Sequence, residues 1–267
     1  MKFSLVPNLN NKGVKELCDE IYEKLISLGA EVEINGSFES SDVVIAVGGD
    51  GTTLNVAKRA SLCGKPILGV NAGRLGFMSG LERNELNLLS NLISGNYTVE
   101  ERMMLKADVT ENGQVISSHI CLNDAVISRG DLARLIDISL SCEGRDVTNA
   151  RADGMIVSTP TGSTAYSMAA GGPVVSPDNS CFIVTPICPH SLVNRSIVFS
   201  ADKELELSVT NDVNNNAFLS IDGADSIPLN PETKIIISKS GYSTKLIKLK
   251  PDNFYEILNK KILERRN

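Results

Sequence analysis

Apolar positions change their spacing along this chain, and the change divides it into two styles. Over residues 14–28 they fall at Val14, Leu17, Cys18, Ile21, Leu25 and Leu28, which is one face of a helix, and Gly29 then stops it. Residues 2–6 and the pair Val32 and Ile34 predict short strands. Residues 43–47 (VVIAV) form a continuous apolar run between Asp42 and Gly48, which predicts a strand buried on both faces of a parallel sheet. Residues 53–63 and 84–93 predict helices, and 65–70 another strand. Alternation of this kind implies an α/β layer. After Tyr97 the period falls to two. Ile136, Ile138, Leu140 and Cys142 alternate with polar residues, as do Leu205, Leu207 and Val209. With Gly, Asn and Pro between the runs, this predicts a β-rich region. Residues 164–170 predict a short helix inside it. Residues 253–266 return to helical spacing through Phe254, Ile257, Leu258 and Ile262. The boundaries expected are 1–98, 99–250 and a returning helix at 251–267.

Composition adds mainly exclusions. The 267 residues carry 26 Lys and Arg against 32 Asp and Glu, a net charge of −6. That balance speaks against a general nucleic-acid or membrane-surface binder, and leaves room for a locally basic pocket. With no Trp, 7 Phe and 5 Tyr, an extended stacking platform is not expected. Six cysteines without a C-x-x-C pair, and two histidines, His119 and His190, do not build a zinc site, so no protein-ligated metal residues are assigned. The cysteines read as reduced core residues. Residues 1–13 have no signal-peptide run, and no window suits a membrane span. The expectation is a soluble, cytoplasmic protein.

The candidate chemistry starts where the run 43–47 ends, in Gly48-Gly49-Asp50-Gly51-Thr52-Thr53. A turn after a buried α/β strand lies where ligands bind, and its glycines allow φ > 0 and close approach of an anion to backbone N–H groups. The following helix N-terminus adds partial positive charge, and Thr52 and Thr53 offer hydroxyls. Asp50 would repel a phosphate. It makes sense as a proton acceptor for an attacking hydroxyl or as a ligand to a divalent cation, both parts of phosphoryl transfer. The plain alternative is an Asp that caps the helix. Neither G-x-x-x-x-G-K-[ST] nor G-x-G-x-x-G is present, nor are the G-x-S-x-G and H-E-x-x-H hydrolase signatures.

Three further segments stand out. Asn71-Ala72-Gly73-Arg74-Leu75-Gly76-Phe77 follows the next strand, where Arg74 has the reach for a phosphate and Phe77 for a ring, or else the segment is a plain β-turn with a solvated Arg. Asn123-Asp124 places an amide and a carboxylate side by side among apolar residues, a pair suited to ribose hydroxyls, or else to a bulge. Residues 151–173 combine Arg151, Asp153, a hydroxyl-rich turn and small residues around Tyr166, which permits a flat ligand to approach, or else a close-packed helix. His190 sits in a proline-bounded loop and reads as a packing or surface residue, and His119 has no assigned role.

Together these segments resemble the NAD kinase family. Gly48-Gly49-Asp50-Gly51-Thr52 matches a GGDGT motif shared with diacylglycerol and sphingosine kinases and, more loosely, phosphofructokinases. Asn71-x-Gly73-x-Leu75-Gly76-Phe77, Asn123-Asp124 and Asp153-Gly154 through Thr161-Gly162-Ser163-Thr164-Ala165-Tyr166 narrow it to NAD kinases. The fold implied is a Rossmann-like α/β N-terminal domain plus an all-β, sandwich-like C-terminal domain, with the C-terminal helix packing back on the first. The resemblance implies an active site between the domains. The activity implied is transfer of the γ-phosphoryl of ATP (or polyphosphate) to the 2′-hydroxyl of the adenosine ribose of NAD, with a divalent cation, usually Mg²⁺. It makes Asp50 the proton acceptor and gives phosphate contacts to Gly48, Gly49, Gly51 and Thr52. Ribose contacts fall to Asn123 and Asp124. The NAD site takes Asp153, Thr164, Ala165, Tyr166, Ser167, Met168 and Ala169, with Arg134 and Arg151 reaching NAD from the same or a neighbouring subunit. A dimer or tetramer is implied. In Ile221-Asp222-Gly223-Ala224 the family commonly has Gln after the Gly, and Ala224 cannot make that contact. The rivals are a lipid or other small-molecule kinase of the same superfamily, and a non-catalytic NAD sensor.

Overall fold

The computed structural model describes residues 1–73, 76–130, 134–191, 195–210, 217–224, 226–251 and 254–264, with side chains to Lys261 in the last stretch. Arg74, assigned above to a phosphate, lies outside the described residues, as do Leu75 and the Ile262 side chain. The chain forms two compact units, Met1–Arg102 with Tyr242–Asn267, and Met103–Gly241.

In the first unit the elements are β1 (Lys2–Pro7), α1 (Val14–Ser27), β2 (Glu31–Ile34), β3 (Val43–Gly48), α2 (Asp50–Leu62), β4 (Ile67–Asn71), β5 (Leu81–Glu82) and α3 (Leu89–Ser94). The strands run parallel in the order β2-β1-β3-β4-β5. Every residue of β3 is buried, as its unbroken apolar run requires. The predicted face of α1 is the buried one, with Leu17, Ile21 and Leu25 against Phe3, Leu5, Ile45 and Val47. Gly29, at φ 80°, ends that helix. Residues 84–93 are not one helix. A 3₁₀ stretch, Arg83–Leu88, precedes α3, with Glu85 at φ −116° breaking the regular turn while its side chain bonds back to the Glu82 N–H.

Strand β6 (Thr98–Glu111) leads from the first unit into the second. There follow β7 (Gln114–Cys121), β8 (Asp124–Arg129), β9 (Ile136–Cys142), β10 (Arg145–Ala152), β11 (Gly154–Ser158), α4 (Tyr166–Ala169), β12 (Cys181–Ile187), β13 (Ile197–Ser200), β14 (Leu205–Val209), β15 (Ala217–Ile221) and β16 (Ser226–Leu229). Strand β17 (Thr233–Lys248) then runs back into the first unit, and α5 (Phe254–Glu264) follows. One antiparallel sheet has the order β13-β12-β11-β8-β15-β16, and the second unit's other sheet contains β10-β9-β14-β17. Their inner faces share one core. Ile138, Leu140, Leu205 and Leu207 come from one side and Ile127, Val157, Phe182 and Leu219 from the other. This is the sandwich that a two-residue period builds.

Cys18, Cys121 and Cys181 are buried, which fits the core part of the reading. Cys63 and Cys142 are half-buried, and Cys188 departs from the core reading, being exposed at φ 45° in the turn after β12. Among the described residues no helix is long and apolar enough to cross a membrane.

Candidate functional site

The glycine turn of the first unit differs from its sequence reading in one respect. None of Gly48, Gly49 and Gly51 has positive φ, and Gly49 is extended, at φ −103° and ψ −173°. The helix therefore starts at Asp50, three residues earlier than expected, with the Gly49 carbonyl accepting from the N–H groups of Thr52 (3.0 Å) and Thr53 (3.1 Å). What the glycines supply is space, since a Cβ on Gly49 or Gly51 would meet nothing within 4 Å, so their backbone lies open to a ligand. The Thr52 hydroxyl is buried and accepts from Asn8 Nδ2 at 3.2 Å.

Asp50 stands in the first turn of α2, and its carboxylate reaches across to the loop after β4. Oδ2 accepts the Phe77 N–H at 3.0 Å and Oδ1 the Met78 N–H at 3.1 Å. That loop must come close. A Cβ on Gly76 would strike Asp50 Oδ1. So the Gly76-Phe77 part of the second motif exists here to meet Asp50. Lys261 of α5 is a third partner, its Nζ 3.3 Å from Oδ2. Phe77 is half-buried and packs 6.1 Å, centroid to centroid, from Phe254. Asn71 is buried, donates to Glu82 Oε2 (2.8 Å) and accepts from the Gly73 N–H. Burial raises the Glu82 pKa, against the lowering effect of its bonds to Asn71 and Ser79. Buried Lys248 donates to the Ser79 carbonyl at 3.1 Å. An open cavity of about 540 Å³ is lined by Asn71, Gly73, Glu82 and Arg83 among others.

In the second unit Asn123 and Asp124 sit at the start of β8, on a tightly built bend. Asp222 accepts the N–H groups of Leu122 (3.0 Å), Asn123 (2.7 Å) and Asp124 (3.1 Å), and its own N–H donates to the Asp124 carbonyl (2.9 Å). Thr159 donates from its hydroxyl to the Leu122 carbonyl and from its N–H to the Asn123 carbonyl (2.9 Å). A Cβ on Gly162 would strike the Asn123 backbone, so the Thr161-Gly162-Ser163 turn packs directly on it. The two motifs, separated in sequence, thus meet here.

The Asp124 side chain is 5% exposed, and no described residue donates a hydrogen bond to its carboxylate. Its cross-strand partner Ser158 is fully buried, and the Ser158 hydroxyl has no partner among the described residues. Burial first, and then the Asp222 charge, push the Asp124 pKa up to about 7. A carboxyl whose pKa is higher folded than unfolded keeps its proton longer in the native state. Stability then falls as pH rises from about 4 to about 7 and is level above that. Asp124→Asn removes that loss. Its stability relative to the parent should rise between pH 5 and pH 8, by about 2–4 kcal/mol. Denaturant unfolding at both pH values measures it, and a difference that does not change with pH refutes it.

The other candidates are placed as follows. Asp153 pairs with Arg129 Nε at 2.5 Å. Arg151 on β10 and Arg134 are exposed. The predicted helix at 164–170 is a 3₁₀ turn, Gly162–Thr164, and a short α4, broken at Ala165 (φ −98°, ψ −124°). Thr164 is buried and Tyr166 is 47% exposed, with Met168 half-buried and Ala169 exposed beside it. Ser167 faces inward and bonds to the Thr185 hydroxyl at 3.1 Å. Exposed His190 bonds through its N–H to the Arg151 carbonyl, and His119 lies on β7. Asp222 and Lys261 were not singled out from the sequence as partners of these motifs. Asp222 appears there only within Ile221-Asp222-Gly223-Ala224, and Lys261 only within the helical stretch 253–266.

Known proteins similar to this chain are NAD kinases. A family model described as the ATP-NAD kinase N-terminal domain matches residues 6–97, and one described as the ATP-NAD kinase C-terminal domain matches 122–249. The NAD kinase of Desulforamulus reducens is 43% identical over 227 residues, 85% of this chain and 78% of that protein. That of Symbiobacterium thermophilum is 38% identical over 279 residues, 98% of each. Of solved structures, an NAD kinase from Archaeoglobus fulgidus in complex with ATP matches with a TM-score of 0.79 and 29% identity over 98% of both chains. Yeast NADH kinase complexed with NADH matches with a TM-score of 0.85, covering 97% of this chain and 86% of that one. At 23% identity it is a likeness of fold.

Proposed function

The chain belongs to the ATP-NAD kinase family, and from that premise we propose that it phosphorylates NAD with ATP as donor. The γ-phosphoryl group goes to the 2′-hydroxyl of the adenosine ribose, giving NADP. The observation that carries this reading is the Asp50 carboxylate, held by the N–H groups of Phe77 and Met78 at the open end of a glycine turn.

A secondary hydroxyl is a weak nucleophile until its proton has an acceptor. Asp50 takes that proton, and its two backbone donors fix the direction of the remaining lone pairs. The open backbone of Gly49 and Gly51, with Gly48 and Thr52 beside them, receives phosphate oxygens of ATP. The archaeal relative's ATP supports ATP as donor. In the second unit Asn123 and Asp124 hold ribose hydroxyls, consistent with a buried carboxylate that no described residue bonds. Asp153, Thr164, Ala165 and Tyr166 line the NAD site with the 167–169 segment, Ser167 serving from behind. Arg134 and Arg151 contact NAD from this or a neighbouring subunit of a dimer or tetramer.

Among the described residues no three His, Cys, Asp or Glu side chains gather as metal ligands. One carboxylate together with ATP phosphates is ordinary coordination for Mg²⁺, and Asp50 fits that role. Bound there beside Asp50, the cation would neutralise charge on the phosphate oxygens. The test is incubation of the pure protein with ATP, Mg²⁺ and NAD, following NADP through an NADP-specific dehydrogenase. NADP is expected at enzyme-like rates. Folded protein that binds NAD and makes no NADP would be a sensor, and one that binds no NAD would belong with the other small-molecule kinases.

A further inference from the structure

Asp50 poses an electrostatic problem that the turn alone does not solve. A full negative charge stands in the first helical turn, where the open glycine backbone is to receive phosphate. The N–H groups of Phe77 and Met78 orient the carboxylate, yet as neutral dipoles they leave its charge in place. Among the described residues the cation paired with Asp50 is Lys261, 211 residues further along the chain.

Its placement is built. The side chains of Lys261 and Asp50 are 21% and 32% exposed, so the pair is partly withdrawn from water and its attraction is less screened than at an open surface. Neighbouring Lys260 is exposed. Phe254, Ile257 and Lys261 follow at spacings of three and four, which puts them on one face of α5. Ile257 is buried at 8% exposure and fastens that face. Phe254 packs on Phe77, and the Lys261 ammonium stands 4.2 Å from the Phe77 ring centroid. One aromatic residue therefore holds the lysine by its ring and the aspartate by its N–H.

We propose that Lys261 is a positioning residue of the phosphate site, acting through Asp50. It offsets the carboxylate's charge so that a polyanionic donor can be seated beside a proton acceptor. The proposal rests on the reading of the glycine turn as the ATP site. It accounts for a carboxylate in a phosphate cradle, and it gives the C-terminal helix a task beyond closing the fold.

The test is ATP binding by titration calorimetry in magnesium-free buffer with EDTA, so that no added cation replaces the lysine. NAD is absent, so turnover does not enter. Lys261→Met should weaken ATP about tenfold, and Lys261→Arg should stay within about threefold of the parent. In an Asp50→Asn background there is no carboxylate to offset, and Lys261→Met should cost about threefold or less. Coupling to Asp50 and rescue by Arg are responses that mere loss of packing would not give. The proposal is overturned if Lys261→Met leaves affinity within about twofold, if Arg fails to rescue, or if the loss is as large without the carboxylate. A parent protein that binds no ATP in this buffer would overturn the inference, and one that binds none with Mg²⁺ present either would overturn the reading of the turn as well. A parent that binds ATP with an indifferent Lys261→Met overturns the inference alone.

Discussion

Asp50→Asn should fold normally and lose turnover by about a thousandfold, the usual scale for removing a general base. Asn is the same size, and its Oδ1 still accepts the Phe77 or the Met78 N–H, but its amide nitrogen cannot accept the other. That N–H turns to water at this half-buried site, and Lys261 loses an ion-pair partner. Together these cost about 1 kcal/mol. Binding of ATP should persist or tighten, because a negative charge has left the phosphate site. Initial rates of NADP formation and a denaturant curve on the same preparation separate the two effects. Activity near that of the parent would remove Asp50 from the mechanism. A loss of stability of several kcal/mol would make it a structural residue.

Asp222→Ala should loosen the bend before β8 and destabilise the second unit. The carboxylate collects three consecutive N–H groups, those of Leu122, Asn123 and Asp124, and Ala leaves all three without their acceptor. Unpaired buried donors cost about 1–3 kcal/mol each, with partial relief from water, so a loss of about 3 kcal/mol is expected. The position adds strain. Asp222 has φ 52°, a left-handed conformation that Asp tolerates better than Ala. One effect opposes these, since removing the Asp222 charge lowers the Asp124 pKa from about 7. The functional result should be an increase of about tenfold or more in KM for NAD, as Asn123 and Asp124 lose their fixed direction, with KM for ATP unchanged. Steady-state kinetics in each substrate, with urea unfolding, measures this. Unchanged stability together with an unchanged KM would show that the bend holds itself.

Much of this protein is legible without a structure, and the reason is locality. Helix α1, the buried strand β3 and the alternating strands β9 and β14 follow from periods of 3.6, none and two, which depend only on near neighbours. The glycine turn, with Asp50 inside it, is likewise a local motif at a strand end. What eluded the pattern has a different physical origin. The start of α2 at Asp50 was missed because Gly49 serves as an extended cap, a backbone choice that periodicity does not report. Strands β6 and β17 each continue from one unit to the other, and neither passage carries a change of period to mark it.

Above all, the partners of the key carboxylates are remote. Asp50 meets Phe77, Met78 and Lys261, and Asp222 reaches back about a hundred residues to the bend before β8. A hydrogen bond across such a separation leaves no spacing in the chain, since any donor of the right reach will serve once folding has brought it near. The sequence by itself therefore determined most of the elements, the two styles of fold and the candidates for the reactive residues. Only the tertiary structure decided how those residues are held and which remote groups stand beside them.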